Sequence, residues 1–128
     1  MIAYRMQDAS RGIAELLDPE QQWSFPVGGQ DDLVRRGVSG CETLGDLAAY
    51  LAVSGIMATR PVLVRIEGPA SPDAPCDAGA GEVLLLPESA AIIEDDEEFF
   101  TLVSDLVDLH WERGLGVREL QAVAADRI

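Results

Sequence analysis

Residues 43–67, TLGDLAAYLAVSGIMATRPVLVRIE, combine the clearest helix pattern and the clearest strand pattern of the sequence. In the first part, apolar side chains recur at the i, i+3, i+4 and i+7 spacing of one helix face. Thr43 precedes that stripe and Asp46 follows three residues later, a pair typical of a capped helix start. We therefore expect a helix over residues 43–54. The β-branched run 61–67 is closed by a Gly-Pro pair and predicts a largely buried strand.

Weaker patterns on both sides extend this arrangement. Further strands are predicted at residues 2–6, 36–41, 82–86 and 90–93. Five consecutive acids at 94–98 precede an amphipathic stretch. Because acids in a first turn stabilise the helix dipole, this predicts a second long helix over residues 96–113. The expected fold class is α+β: a small, mostly antiparallel or split sheet flanked by these two helices, in a single domain of residues 1–128.

Two smaller predictions concern the segment after the first strand. Ser10 is in the position of an N-cap, which predicts a short helix that ends at Pro19. Residues 19–32 are rich in proline, glycine and aspartate and predict an irregular loop. Trp23 and Phe25 lie inside this loop, and their large apolar surfaces predict that they fold back onto the core.

The charge of the chain excludes some partners. Nine arginines and 23 acidic residues give a formal net charge of −14. Such a field repels a polyphosphate backbone, so we expect no generic binding of DNA or RNA. The chain has no lysine, which excludes a lysine Schiff base. No apolar run approaches the ~20 residues that cross a bilayer. Because the start also lacks a signal-peptide pattern, we expect a cytoplasmic protein without a membrane anchor.

Few side chains are suited to a metal site or to nucleophilic catalysis. Cys41 and Cys76 are isolated, and the sequence has a single histidine, so the close Cys/His pairs of a zinc site are absent and we expect no metal. The sequence leaves open whether the two cysteines pair, and in a cytoplasmic protein we expect thiols. His110 is on the apolar side of the second helix beside Trp111, which is more typical of a packed histidine than of a general base.

The order of three polar residues along the chain carries a family resemblance. Tyr4-Arg5 stands on the first strand. Residues 37–50, GVSGCETLGDLAAY, place Ser39 at the end of an extended piece that runs into a helix. Residues 81–87, GEVLLLP, place Glu82 at the start of a strand. This arrangement resembles the ADP-ribosyltransferase-like families, in which an early arginine or histidine, a middle serine, threonine or tyrosine and a late glutamate surround NAD.

The resemblance implies a function and a set of roles. The protein would transfer ADP-ribose from NAD to a protein or another target, with NAD as substrate and no metal. Glu82 would stabilise the oxocarbenium-like ribose that develops as nicotinamide leaves, and Ser39 would orient this carboxylate. Arg5 would clamp pyrophosphate or ribose, and Tyr4 and Tyr50 would complete the cofactor-binding set.

The resemblance covers residues 3–93 and departs from the family pattern at one informative position. Ala80 stands where the frequent Glu-x-Glu element of the family has its first glutamate. Because that glutamate supports transfer to arginine, the resemblance does not imply arginine as the acceptor.

The acidity of the chain supports a hypothesis of a different class. With its charge of −14 and no convincing catalytic histidine or metal set, the protein would instead be a non-catalytic interaction or inhibitor protein of phage or mobile-element type. Its partner would be a host or cognate protein with a basic surface. A third hypothesis keeps the transferase-like fold but uses its site only for binding.

Overall fold

The computed structural model describes residues 1–25 and 34–127. Its strands are β1 (Ile2–Asp8), β2 (Trp23–Ser24), β3 (Arg35–Arg36), β4 (Val38–Cys41), β5 (Pro61–Glu67), β6 (Glu82–Leu85) and β7 (Ser89–Ile93). Its α-helices are α1 (Leu44–Ser54), α2 (Glu97–Arg113) and α3 (Val117–Ala125). Short 3₁₀ helices at Ile13–Leu17, Pro19–Gln21 and Ala78–Ala80 lie in the connections. The fold class is α+β, as expected, and both long helices are confirmed.

The main sheet of the described chain is split. Its strand order is β6-β4-β1-β5-β7, and every neighbouring pair is antiparallel. β1 pairs with β5 along its whole length, from Ile2 to Asp8. With β4, in contrast, β1 shares the single register pair Tyr4↔Cys41. β1 and β4 therefore separate after Tyr4, which leaves a β6–β4 part and a β1–β5–β7 part joined at one point.

The three described α-helices pack on one face of the sheet, around Leu63 of β5. Their fully or almost fully buried side chains include Leu47, Leu51, Phe99, Leu102, Leu106 and Leu120. Each fully buried leucine of this kind stabilises the fold by roughly 1.5–3 kcal/mol. None of the helices in the described residues combines the length and hydropathy that crossing a membrane requires.

The opposite face of the sheet is covered by the 3₁₀ helix Ile13–Leu17. Leu16 of this helix is fully buried against Val64, Ile66 and Leu85 of the sheet. The predicted short helix is present as this 3₁₀ helix before Pro19, but the N-cap assignment is wrong, because Gly12 and not Ser10 precedes it.

Ser10 has a different role in the turn that leaves β1. Its backbone N–H and its hydroxyl both donate to Oδ2 of Asp8. The other carboxylate oxygen of Asp8 accepts from the N–H of Arg60 at 2.9 Å. The carboxylate thus connects the end of β1 to the residue before β5, and Ser10 is held outside the helix.

The expectation that two aromatic side chains fold back onto the core is also wrong. Trp23 is 43% exposed and Phe25 is 70% exposed. Trp23 lies opposite Arg36 in the small β2–β3 ribbon, where the guanidinium carbon lies 5.6 Å from the ring centroid. The sequence predicts an irregular loop over residues 19–32. Its residues 26–32 lie outside the described residues.

Candidate functional site

Ser39 and Glu82 meet because β4 and β6 are antiparallel neighbours. In the register of the two strands Cys41 lies opposite Glu82 and Ser39 lies opposite Leu84. Since alternate residues of a strand share one face, Ser39, Cys41, Glu82 and Leu84 all point to the same side. The Ser39 hydroxyl donates a hydrogen bond of 2.6 Å to Oε2 of Glu82. The structure therefore brings together two predicted site residues that are far apart in the chain.

The second carboxylate oxygen of Glu82 is also held. The backbone N–H of Asp77 donates to Oε1 of Glu82 at 2.9 Å, and the N–H of Glu82 donates back to the Asp77 carbonyl at 3.2 Å. Gly81 makes this tight return possible, because it has φ +89°, in the region that favours glycine. Each carboxylate oxygen has more than one lone pair, so both stay available to a further donor. Glu82 is an oriented acceptor before any ligand arrives.

Arg5 lies where β1 leaves β4. Its Nη1 donates to the Ser39 carbonyl at 3.0 Å. Its Nε is buried and has no hydrogen-bond partner in the described structure. Burial, followed by the nearby charge of Arg11, lowers the pKa of Arg5 to about 10, so the guanidinium is protonated at neutral pH. A buried donor without a partner is energetically costly, which points to an acceptor supplied by a ligand.

Tyr50 approaches the same carboxylates from α1. Its hydroxyl donates to Oδ2 of Asp77 at 3.4 Å. Burial, followed by the negative charges of Asp77 and Glu82, raises the pKa of Tyr50 to about 12. The phenol is therefore neutral at physiological pH and can act as a hydrogen-bond donor.

These side chains line one cavity of about 210 Å³. Arg5, Ser39, Tyr50 and Glu82 supply its polar surface, and the remaining lining residues are Met6, Gly40, Cys41, Leu47, Leu51 and Ile56. The cavity lies at the split between β1 and β4, beneath α1. A smaller adjoining pocket shares Tyr50 and Glu82 and is also lined by Asp77. Four of the five predicted site residues are therefore brought together.

Tyr4 is the predicted site residue that the structure does not bring to the cavity. It precedes the split, and Cys41 of β4 lies directly opposite it in the sheet. Gly40 permits this close approach, because a Cβ at Gly40 would lie 2.8 Å from the Tyr4 carbonyl oxygen. Tyr4 instead lines a separate groove with Asp46 and Gln121. Tyr4 therefore lies apart from the other four predicted site residues.

The other candidate groups lie outside the cavity or, as with Cys41, are not in a reactive form at neutral pH. Both cysteines are thiols, with Cys41 buried and Cys76 exposed. Burial, followed by the negative charges of Asp46 and Glu82, raises the pKa of Cys41 to about 12, so Cys41 is not a thiolate at neutral pH. Nδ1 of His110 lies 2.7 Å from the Leu115 carbonyl, at the end of α2. No group of His, Cys, Asp and Glu side chains suited to a metal ion occurs in the described ranges.

Asp77 is the site residue that sequence patterns missed. It contributes a backbone N–H to Glu82 and a carboxylate to Tyr50. The only available signal was its place five residues before Glu82 in a loop that ends in glycine.

Comparisons of the chain with family models, with curated proteins and with solved structures found no match.

Proposed function

We propose that this protein is an ADP-ribosyltransferase-like enzyme that binds NAD at the cavity of Arg5, Ser39, Tyr50 and Glu82. The observation that supports the proposal most strongly is that two oppositely charged groups, the Glu82 carboxylate and the Arg5 guanidinium, line one cavity. The Glu82 carboxylate is held on both oxygens by Ser39 and Asp77. The Arg5 guanidinium lines the same cavity, and its buried Nε–H has no partner among the described residues. A ligand with a developing positive charge and a negatively charged arm matches this pairing.

In the proposed reaction the bond between C1′ of the ribose and the nicotinamide nitrogen breaks. Its electron pair leaves with nicotinamide, which becomes neutral, and positive charge develops on the ribose. Glu82 stabilises this charge and accepts a hydrogen bond from a ribose hydroxyl. A nucleophile of the acceptor then bonds to C1′ and releases its proton to solvent. Because the positive charge moves from the nicotinamide ring to the ribose in the transition state, a carboxylate oriented beside the ribose accelerates the bond cleavage.

The basic side chains near the cavity suit the pyrophosphate. The Arg5 guanidinium lines the cavity and supplies a positive charge for a phosphate group, and Arg35 lines the smaller pocket beside Glu82. The cavity of about 210 Å³ is smaller than the ~300–1,000 Å³ of pockets that enclose most of a drug-sized ligand. It therefore takes the nicotinamide riboside end of NAD, and the adenosine end extends outside it. We place the reaction in the cytoplasm, where NAD is available.

Release of nicotinamide from labelled NAD tests this proposal. Glu82→Gln is expected to lower the release rate by about 100-fold or more, because the amide no longer carries the charge that stabilises the transition state. The assay is run in buffer, where water is the acceptor, and with a cell lysate, which supplies protein acceptors.

Glu67→Gln is the matched control for this assay. Glu67 is also a strand glutamate, and its contact with Arg65 is a long, partly exposed ion pair of 3.9 Å, which contributes little stability. The control should keep the wild-type rate. Release that never exceeds the blank, or release that is equal in wild type and Glu82→Gln, would show that the cavity is not the reactive site.

A second candidate function is binding of a protein with a basic surface. Glu94, Asp95, Glu97 and Glu98 are exposed, and none of them forms an ion pair with a described residue. Capture of a partner that is released by rising salt would support this function. A complex insensitive to ionic strength would argue against it.

A further inference from the structure

The outer edge of β7 is an unpaired edge of the main sheet. β7 is the terminal strand and pairs with β5 from Ser89↔Glu67 to Ile93↔Leu63. No backbone group elsewhere in the described chain hydrogen-bonds to the outer side of β7. The opposite edge of the sheet differs, because the N–H of Ser71 donates to the Leu84 carbonyl of β6 at 2.9 Å. Within the described residues, one edge of the sheet is therefore hydrogen-bonded to a neighbouring segment, whereas the β7 edge has no backbone partner, although the 3₁₀ helix Ile13–Leu17 packs against β7.

The open edge lacks the features that usually protect such strands. Edge strands are commonly guarded by charged side chains, proline or a bulge. β7 reads Ser-Ala-Ala-Ile-Ile, without a charge or a proline, and its register with β5 is uninterrupted. Ala91 is exposed, and Ile92 is 47% exposed. Five residues of unprotected strand are long enough to pair with another chain.

Charges at the two ends of β7 argue against a second copy of this chain as the occupant. Glu88 precedes the strand and Glu94 and Asp95 follow it, all of them exposed. In an antiparallel pair centred on Ala91, Glu88 of each copy would face Glu94 of the other. Like charges directly opposite each other destabilise a strand pair. The net charge of −14 on each copy adds to this repulsion.

We propose that the β7 edge is a docking site for an extended segment of a partner protein, with a small or β-branched core and basic residues at both ends. The segment adds a strand to the sheet through backbone hydrogen bonds, and its arginines or lysines pair with the acids that flank β7. This inference deepens the second candidate function, because it names the surface and the class of partner. It is independent of NAD chemistry.

A synthetic peptide tests the proposal. Its core alternates valine and threonine over the length of β7, and an arginine pair flanks the core on each side. On titration into isotope-labelled protein, the backbone amide signals of residues 89–93 should shift and saturate. The same peptide with alternate backbone nitrogens methylated keeps its charge but loses its strand hydrogen bonds, and it should bind at least ~10-fold more weakly.

Charge variants of the protein give the second arm of the test. Glu88→Gln combined with Glu94→Gln should lower the affinity of the protein for the unmodified peptide by about 10-fold. Asp108→Asn combined with Glu112→Gln removes the same charge from exposed positions of α2 and should change the affinity by less than about two-fold. Thermal unfolding of both double variants checks that they are folded.

Three outcomes would overturn the proposal. Equal binding of the methylated and unmodified peptides would show that strand pairing is not involved. Equal weakening by the two double variants would show that general charge attraction explains the binding. Amide shifts confined to residues outside 89–93 would place the docking site elsewhere. None of these outcomes bears on nicotinamide release, so the test separates this proposal from the NAD proposal.

Discussion

The position of Glu82 is determined by hydrogen bonds that reach it from two directions. Ser39 holds Oε2 from the neighbouring strand, and the Asp77 N–H holds Oε1 from the preceding loop. Hydrogen bonds to an ionised carboxylate are stronger than those between neutral groups, so the side chain has little freedom to turn away. A carboxylate fixed in this way needs no reorganisation when positive charge develops beside it.

The raised pKa of Tyr50 leads to a prediction about alkaline stability. Burial and the charges of Asp77 and Glu82 raise this pKa to about 12 in the folded protein, against about 10 in an unfolded chain. The folded state therefore keeps the Tyr50 hydroxyl proton up to a higher pH than the unfolded chain does. The stabilisation is fully present below pH ~10 and is lost as the pH rises through about 12. Tyr50→Phe should flatten the fall in unfolding free energy over this range.

Tyr4→Phe serves as the control, because Tyr4 lies outside the cavity. Denaturant unfolding at several pH values, with the tyrosinate absorbance recorded in parallel, measures both effects. An identical alkaline loss of stability in wild type and Tyr50→Phe would contradict the environment described for Tyr50.

At the scale of single elements, α1 has well-defined ends. The Thr43 hydroxyl oxygen accepts from the Asp46 N–H at 3.0 Å, and Gly55 closes the helix with φ +71°. The helix carries Tyr50 to the cavity and buries Leu47 and Leu51 beside it. The capping contact therefore supports the element that forms one wall of the site.

Removal of this cap has a predictable cost. Thr43→Ala should lower the free energy of unfolding by about 1 kcal/mol, because the Asp46 N–H loses its acceptor. Thr101→Ala, an exposed position inside α2, should change it by less than about 0.5 kcal/mol. Urea unfolding of both variants gives the comparison. An equal effect at the two positions would mean that the cap contributes nothing specific.

Local patterns predicted elements far better than they predicted the contacts between them. The helices α1 and α2 and the strands β5 and β6 could be predicted because caps, periodicity and turn residues act within a few positions. The exposure of Trp23 could not be predicted in this way, because the position of this side chain depends on a partner strand at Arg35–Arg36. Asp77 escaped detection because it holds Glu82 through a backbone N–H, which almost any residue type supplies.

One predicted site residue, Tyr4, lies apart from the other four, at the point where the sheet splits. Tyr4 and Arg5 are neighbours on β1, but β4 closes against Tyr4 and separates before Arg5. The position of the split is set by the packing of whole strands, but strand alternation by itself already points the adjacent residues Tyr4 and Arg5 to opposite faces. The joint placement of Ser39, Tyr50 and Glu82 is the part of the site that sequence order did anticipate.

For the whole molecule, the charge of −14 is the dominant electrostatic feature. Repulsion among like charges destabilises the compact state, and salt screens it. The thermal midpoint should therefore rise by about 3 °C or more when sodium chloride is raised from about 20 mM to about 300 mM. Asp108→Asn with Glu112→Gln should reduce this response. A midpoint that is constant or falls would show that attractive pairs outweigh the repulsion.

The central claim is that Arg5 and Glu82 face one NAD site, and NMR titration tests it most directly. Two signals report on the site: the Arg5 Nε–H, which has no acceptor among the described residues, and the Asp77 N–H, which donates to Glu82. With added NAD, both signals should shift along one saturation curve. If neither signal moves at NAD concentrations that saturate the shifts of other signals, the proposed site is wrong.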